Sequence, residues 1–135
     1  MKKILIWDLP VRLGHWLMVG GFILAWVTGD SERWRLVHVL AGGTLTAVAA
    51  YRLLWGFVGS RSARFADFVR GPRQVLAYLG SLLRGAPRHY SGHNPAGGWA
   101  IVLLLALGMA SGVSGWLVYQ EIGGEWLEEF HEFLA

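Results

Sequence analysis

Apolar residues fall into three long blocks separated by polar or Gly/Pro-rich punctuation. The first runs from about Leu13 to Val27 and closes at the polar turn Thr28-Gly29-Asp30-Ser31-Glu32-Arg33. It predicts a helix over about 13–28, near the short end for a bilayer span. The second block, about 36–58, holds Arg52 as its one charge, and the third, about 98–119, holds none. Each approaches the roughly 20 residues that cross a hydrocarbon core. After Tyr119 comes a Gly-rich acidic turn, and Trp126, Leu127, Phe130, Phe133 and Leu134 then recur at helical spacing, so a fourth helix begins at about 125. Crossing back takes roughly ten further residues. The sequence is therefore expected to hold only the start of a fourth span, either as a piece of a longer chain or as a protein that borrows its fourth helix. The predicted class is an all-α membrane protein, an up-down transmembrane helix bundle of three spans plus the start of a fourth.

Composition agrees, with 54% hydrophobic residues, 16% charged residues and a mean hydropathy of +0.41, values foreign to a soluble domain of this size. The net charge of +3 does not point to nucleic acid, because the cations sit at the ends of apolar runs instead of forming a face. They read as topology. The segment 60–97 is a basic connector carrying Arg61, Arg64, Arg70, Arg73, Arg84 and Arg88, and its middle, Arg73 to Arg84, has the periodicity of an amphipathic helix lying on lipid headgroups. With Lys2, Lys3 and Arg12 this side holds nine cations. The other side has Arg33 and Arg35 against Asp30, Glu32, Glu121, Glu125, Glu128 and Glu129. The positive-inside rule then puts the N-terminus and the connector of this multi-pass chain in the cytoplasm. Trp26, Trp34, Trp116 and Trp126 mark the outer boundary, and Trp7, Trp55 and Trp99 the inner one. Asp8, Pro10 and Arg12 interrupt any signal-peptide pattern, so the first helix is expected to be retained. The absence of cysteine excludes disulfides, Cys-based zinc and iron–sulfur sites, and covalent haem attachment.

Three histidines stand near the ends of the apolar blocks: His15, His38 and His131. An imidazole within a bilayer is costly enough to signal function, and several together signal a ligated group, here noncovalent haem. His15 lies near the cytoplasmic end of helix one. His38 and His131 each lie near the outer start of a helix, at one depth. The natural pair is therefore His38 with His131, two imidazoles from facing helices making a six-coordinate b haem suited to electron transfer. His15 has no partner at its own depth in this sequence. Arg52 offers a guanidinium to a haem propionate or a quinone carbonyl, with snorkelling to headgroups as the plain alternative. Arg35 has the analogous position for the outer haem. Gly42 is the candidate for macrocycle clearance, whereas Gly108, Gly112 and Gly115 read as helix–helix contacts. His89 and His93 fall in the polar connector and read as solvated, and the single Glu128-x-x-His131 spacing is weak evidence for a di-iron site.

Four blocks are familiar in combination: Trp7-Asp8-Leu9-Pro10-Val11-Arg12-Leu13-Gly14-His15-Trp16, Val37-His38-Val39-Leu40-Ala41-Gly42, Tyr51-Arg52-Leu53-Leu54-Trp55-Gly56-Phe57-Val58-Gly59-Ser60-Arg61, and Gly92-His93-Asn94-Pro95-Ala96-Gly97-Gly98. In order and spacing they resemble the bacterial cytochrome b561 family, including the b-type cytochrome subunits of nickel–iron hydrogenases. The resemblance covers nearly the whole chain. It implies a four-helix bundle with two b haems, one held by helices one and four and the other by helices two and four, with His15, His38 and His131 at three of the four ligand positions. The family's further helix-four histidine is not in this sequence, so one haem is expected here. Arg12, Arg35, Gly42 and Arg52 are the candidate contacts for propionate, macrocycle or quinone.

The implied function is electron transfer between quinone, ubiquinone or menaquinone, and a redox partner such as a soluble cytochrome or a dehydrogenase or hydrogenase subunit. A second reading is a superoxide-oxidising quinone reductase with Arg33 and Arg35 attracting the anion, against which the acidic neighbours count. A third is a haem-free membrane anchor. Membrane lipids are partners in every case, and a homo-oligomer is left open.

Overall fold

The computed structural model describes residues 7–135, so Lys2, Lys3 and the Ile4–Ile6 stretch lie outside the described residues. Every regular element among the described residues is helical. Helix α1 spans Leu9–Thr28, four residues earlier than the apolar block alone predicts. Asp8 sets that start: its carboxylate accepts from the Val11 amide at 3.0 Å, and Pro10 in the first turn lacks only an N–H that had no partner anyway. A 3-10 turn, Glu32–Trp34, leads into α2, Arg35–Val58. The connector folds as a turn at Arg61–Ala63, a single helical turn α3 at Phe65–Phe68, and α4 at Pro72–Leu83. Helix α5, Pro95–Tyr119, begins before Gly98 for the same reason as α1, with Asn94 accepting from the Gly97 amide at 2.7 Å ahead of Pro95. Helix α6 is Glu125–Leu134. Three helices are long and apolar enough to cross a bilayer, α1, α2 with its leading turn, and α5, and the chain is a multi-pass membrane protein.

Small residues decide how these helices meet. Helix α2 packs against both α1 and α5. Gly21 lets α1 approach α2 so closely that a Cβ there would stand 3.2 Å from the Ala41 carbonyl oxygen. Gly112 of α5 lies directly on Thr46 of α2, leaving no room for a methyl group. With small residues inside, the large apolar ones turn outward, and Trp16, Trp26, Leu54, Phe57 and Val58 are all exposed to the lipid side. At the end where it meets α6, α5 reverses through Glu121, Gly123 and Gly124, all with positive φ, so α6 returns along α5. Leu127, His131 and Leu134, spaced i, i+4 and i+7, form its inner face.

At the opposite end of the bundle, side chains from distant blocks interlock. The Asp8 carboxylate also accepts from Trp55 Nε1 at 2.9 Å and from the Ser60 hydroxyl, pinning the start of α1 to the end of α2. Trp99 Nε1 donates to the Arg70 carbonyl at 2.7 Å, and a Cβ on Gly98 would come within 2.8 Å of the Phe68 carbonyl oxygen, so the connector is drawn tightly onto α5.

Candidate haem site

His38 and His131 are brought together. Their ring centroids are 6.1 Å apart with planes 83° to one another, although the residues belong to α2 and α6. Each ring is oriented by a backbone carbonyl: His38 Nδ1 donates to Ala25 O of α1 at 2.7 Å, and His131 Nδ1 to Ser111 O of α5 at 2.9 Å. Ser114 Oγ adds a contact to the same His131 nitrogen at 3.1 Å. A proton fixed on Nδ1 leaves Nε2 as the lone-pair nitrogen, the form in which imidazole ligates a metal. Two metal–nitrogen bonds of about 2 Å each plus the half-widths of two five-membered rings span about 6 Å. The observed separation matches that span.

Gly115 makes the helix contact expected of it, and the residue it meets is His131 of α6. A Cβ there would stand 2.6 Å from His131 Cε1 and 3.1 Å from both ring nitrogens, so the ring lies in a cradle that only glycine leaves open. Gly108 and Gly112 do make helix contacts, with Leu45 and Thr46. Gly42 is open on its Cβ side, with nothing within 4 Å, which is compatible with close approach of a flat group. No group of three or more His, Cys, Asp or Glu side chains gathers among the described residues. A pair of imidazoles would suit haem, which carries four nitrogens of its own, better than a bare ion needing four protein ligands.

His15 is exposed on α1, with its ring meeting the edge of the adjacent Trp16 at 5.3 Å. The structure does not bring it to either of the other two histidines. It shares a helix face with Gly29, whose Cβ position is 3.7 Å from His38 Cε1. Fourteen residues separate them, about 21 Å along the axis.

Arg52 lies on the same face of α2 as His38, also fourteen residues on, and is only 6% exposed. Its guanidinium sits under the Phe65 and Phe68 rings at 5.2 and 6.0 Å, and its Nη1 has no hydrogen-bond partner. A buried orphan donor of this kind is what a carboxylate or carbonyl oxygen would satisfy. Because Gly14 of α1 packs on Val48 of α2, Arg52 lies one turn, about 6 Å, from the level of Gly14 toward the C-terminal end of α2. Arg35 is placed differently: it pairs with Glu32 at 3.9 Å, lies over the Tyr119 ring at 5.8 Å, and lines a polar groove with Glu121 and Glu128. Arg12 is exposed.

His93, expected to be solvated, is half-buried instead. Its ring lies 4.8 Å from Phe68 and 5.7 Å from Trp7, and burial together with the nearby Arg52 charge pushes its pKa down. For Asp8, burial works upward, but hydrogen bonds from Ser60, Val11 and Trp55 and the Arg52 charge outweigh it and hold the carboxyl below the ordinary range. Sequence spacing gave no sign of this cluster beyond the motifs themselves: Asp8, Arg52, Trp55, Ser60 and His93 come from three of the four family-like blocks and meet at one end of the bundle.

Comparison with known proteins matches these features. The chain is 27% identical to a "probable Ni/Fe-hydrogenase B-type cytochrome subunit" of Rhizobium leguminosarum bv. viciae, over 91% of this chain and 62% of that one. Proteins of the same description from Rhodobacter capsulatus and Azotobacter chroococcum are 26% and 28% identical, over 91% of this chain and 57% and 63% of theirs. The chain thus spans about three-fifths of the length of these relatives. No solved structure matches it. The sequence profile described as prokaryotic cytochrome b561 matches residues 6–135, and with the histidine pair and the Asp8–Arg52–His93 cluster in place, the chain belongs to the prokaryotic cytochrome b561 family.

Proposed function

We propose that this protein carries electrons across the bilayer through b haem, between the quinone pool and a redox partner, with His38 and His131 as axial ligands at the outer level and His15 as one ligand of an inner site. The observation that carries this reading is the 6.1 Å His38–His131 pair with both Nδ1 atoms held by carbonyls. Haem held there by His38 and His131 would supply a one-electron redox couple. The protein's share is orientation: Ala25, Ser111 and Ser114 fix the two rings, and Gly115 gives His131 its seat. Arg52 serves the inner level, donating its orphan Nη1 to a haem propionate or a quinone carbonyl. Arg12, Arg35 and Gly42 are assigned to cofactor contacts more weakly, Gly42 for its open Cβ side.

The relatives' description as hydrogenase cytochrome subunits favours a hydrogenase as the partner. The exposed acids around the outer end, Asp30, Glu32, Glu121, Glu125, Glu128 and Glu129, favour a protein partner over superoxide, since they repel an anion. The arginine-rich connector supports a cytoplasmic N-terminus in the bacterial inner membrane. The test is a reduced-minus-oxidised spectrum of purified wild type and His38→Ala. The low-spin b signal is expected in the first and lost in the second, because one imidazole cannot hold a six-coordinate iron. An unchanged spectrum in the variant removes His38 from the ligand set.

A further inference from the structure

Helix α4 packs on the inner end of α5 with an unusual face. A helix docked on an apolar bundle normally turns its leucines inward, yet here the buried residue is Ser81, and Tyr78 is beside it. Leu76, Leu79 and Leu83, at i, i+3 and i+7, form one stripe pointing away from the bundle, with Leu76 68% and Leu83 91% exposed. Arg73 and Arg84 are eleven residues apart, three full turns, so both stand on the same flank of that stripe. Arg84 Nε is bonded along the helix to Gly80 O at 3.1 Å, which holds its stem against the helix. Arg70 and Arg88 add charge just beyond the two ends. Trp99 ties Arg70, ahead of α4, to the second turn of α5, which places the stripe where a membrane-crossing helix leaves the hydrocarbon.

We infer that α4 is a leaflet-bound helix selective for anionic phospholipid, its Leu76–Leu79–Leu83 stripe among the acyl chains and Arg73 and Arg84 on headgroup phosphates. The occupant follows from charge and continuity: the stripe extends the apolar surface of a spanning helix, and the flank beside it is cationic without a neighbouring acid in α4. An isolated apolar stripe would suit any hydrocarbon, but arginines at headgroup depth prefer phosphates not already neutralised by choline. This inference stands independently of haem and quinone.

The chain has no cysteine, so single labels are clean. Leu79→Cys, Leu83→Cys and Gln74→Cys, each carrying a nitroxide, are reconstituted in the full chain into vesicles of phosphatidylcholine alone or mixed with phosphatidylglycerol. Labels at 79 and 83 are expected to be reached by oxygen and shielded from a water-soluble nickel chelate in the mixed vesicles, and a label at 74 to be open to the chelate. Replacing Arg73 and Arg84 with Gln should weaken the shielding about five-fold per arginine in the mixed vesicles only. Chelate access at 83 equal to that at 74 overturns the inference. Shielding of 79 and 83 from both reagents also overturns it, because protein, such as a second copy, then covers the stripe. Equal shielding in both lipids, insensitive to the arginines, refutes the anionic selectivity.

Discussion

Gly115→Ala is a one-methyl change whose effect can be worked from distances. The added carbon would stand 2.6 Å from His131 Cε1, whereas carbon atoms in favourable contact are about 3.5–4.0 Å apart, so the ring must retreat by about 1 Å. It cannot retreat freely, because its Nδ1 is bonded to Ser111 O at 2.9 Å and meets Ser114 Oγ at 3.1 Å. A shift of about 1 Å takes both beyond hydrogen-bond reach. Overpacking costs about 1–3 kcal/mol and the lost hydrogen bond about 1 kcal/mol more. Together, about 2–4 kcal/mol corresponds to a loss of roughly 30- to 700-fold in haem affinity if ligation needs the native ring position. Alanine favours helix over glycine by about 1 kcal/mol, so loss of α5 itself is not the explanation. Haem titration of the apo-protein, followed by the low-spin Soret band, measures the effect, with Gly20→Ala as control because that methyl meets nothing within 4 Å. Wild-type affinity and spectrum in Gly115→Ala would show that Gly115 does not seat the ligand.

Asp8→Asn should lower the thermal unfolding midpoint in detergent, as the N-cap and the links to Trp55 and Ser60 weaken by about 1–2 kcal/mol in total. Since the folded carboxyl is held below its ordinary value, its contribution is complete above the ordinary carboxylate range and lost as pH falls through the depressed value, so Asp8→Asn should show a flatter acid limb. His93 titrates lower when folded than unfolded, so stability is expected to fall as pH drops below the ordinary histidine range, and His93→Gln should remove that slope. The purified 135-residue monomer is expected to bind one b haem, measured as the haem-to-protein ratio; two low-spin haems would contradict the placement of His15 apart from the other pair. Reporter fusions between Arg70 and Arg84 should be cytoplasmic, and a periplasmic signal there would reverse the depth of every histidine.

The spans were legible because lipid leaves long apolar runs uninterrupted, and their starts were misplaced because two caps precede the hydrophobicity. Asp8 with Pro10 and Asn94 with Pro95 each begin a helix in residues that look like punctuation. The His38–His131 pair was legible from depth alone, since α2 and α6 start from the same end of the bundle and each histidine lies near its helix's start. Gly115 was not, because one glycine among several on α5 gives no clue to which ring it faces. His93 was missed for a related reason: its burial depends on Phe68 and Trp7, 25 and 86 positions away, and on the four-residue α3, too short to show a period.

The carbonyl that holds His38 comes from the last turn of α1. Ala25 is four residues before the C-terminal cap at Gly29, whose amide bonds to Trp26 O instead, so the Ala25 oxygen lacks its backbone partner and accepts from the Thr28 hydroxyl at 3.3 Å and from His38. The imidazole therefore completes α1 while it serves the site. It also sits at the negative pole of that helix's macrodipole, where added positive charge is favoured by about 0.3–1 kcal/mol, or more when partly buried. A redox group held by His38 would be biased toward its oxidised, more positive state by the direction in which α1 runs, before any neighbouring side chain is considered.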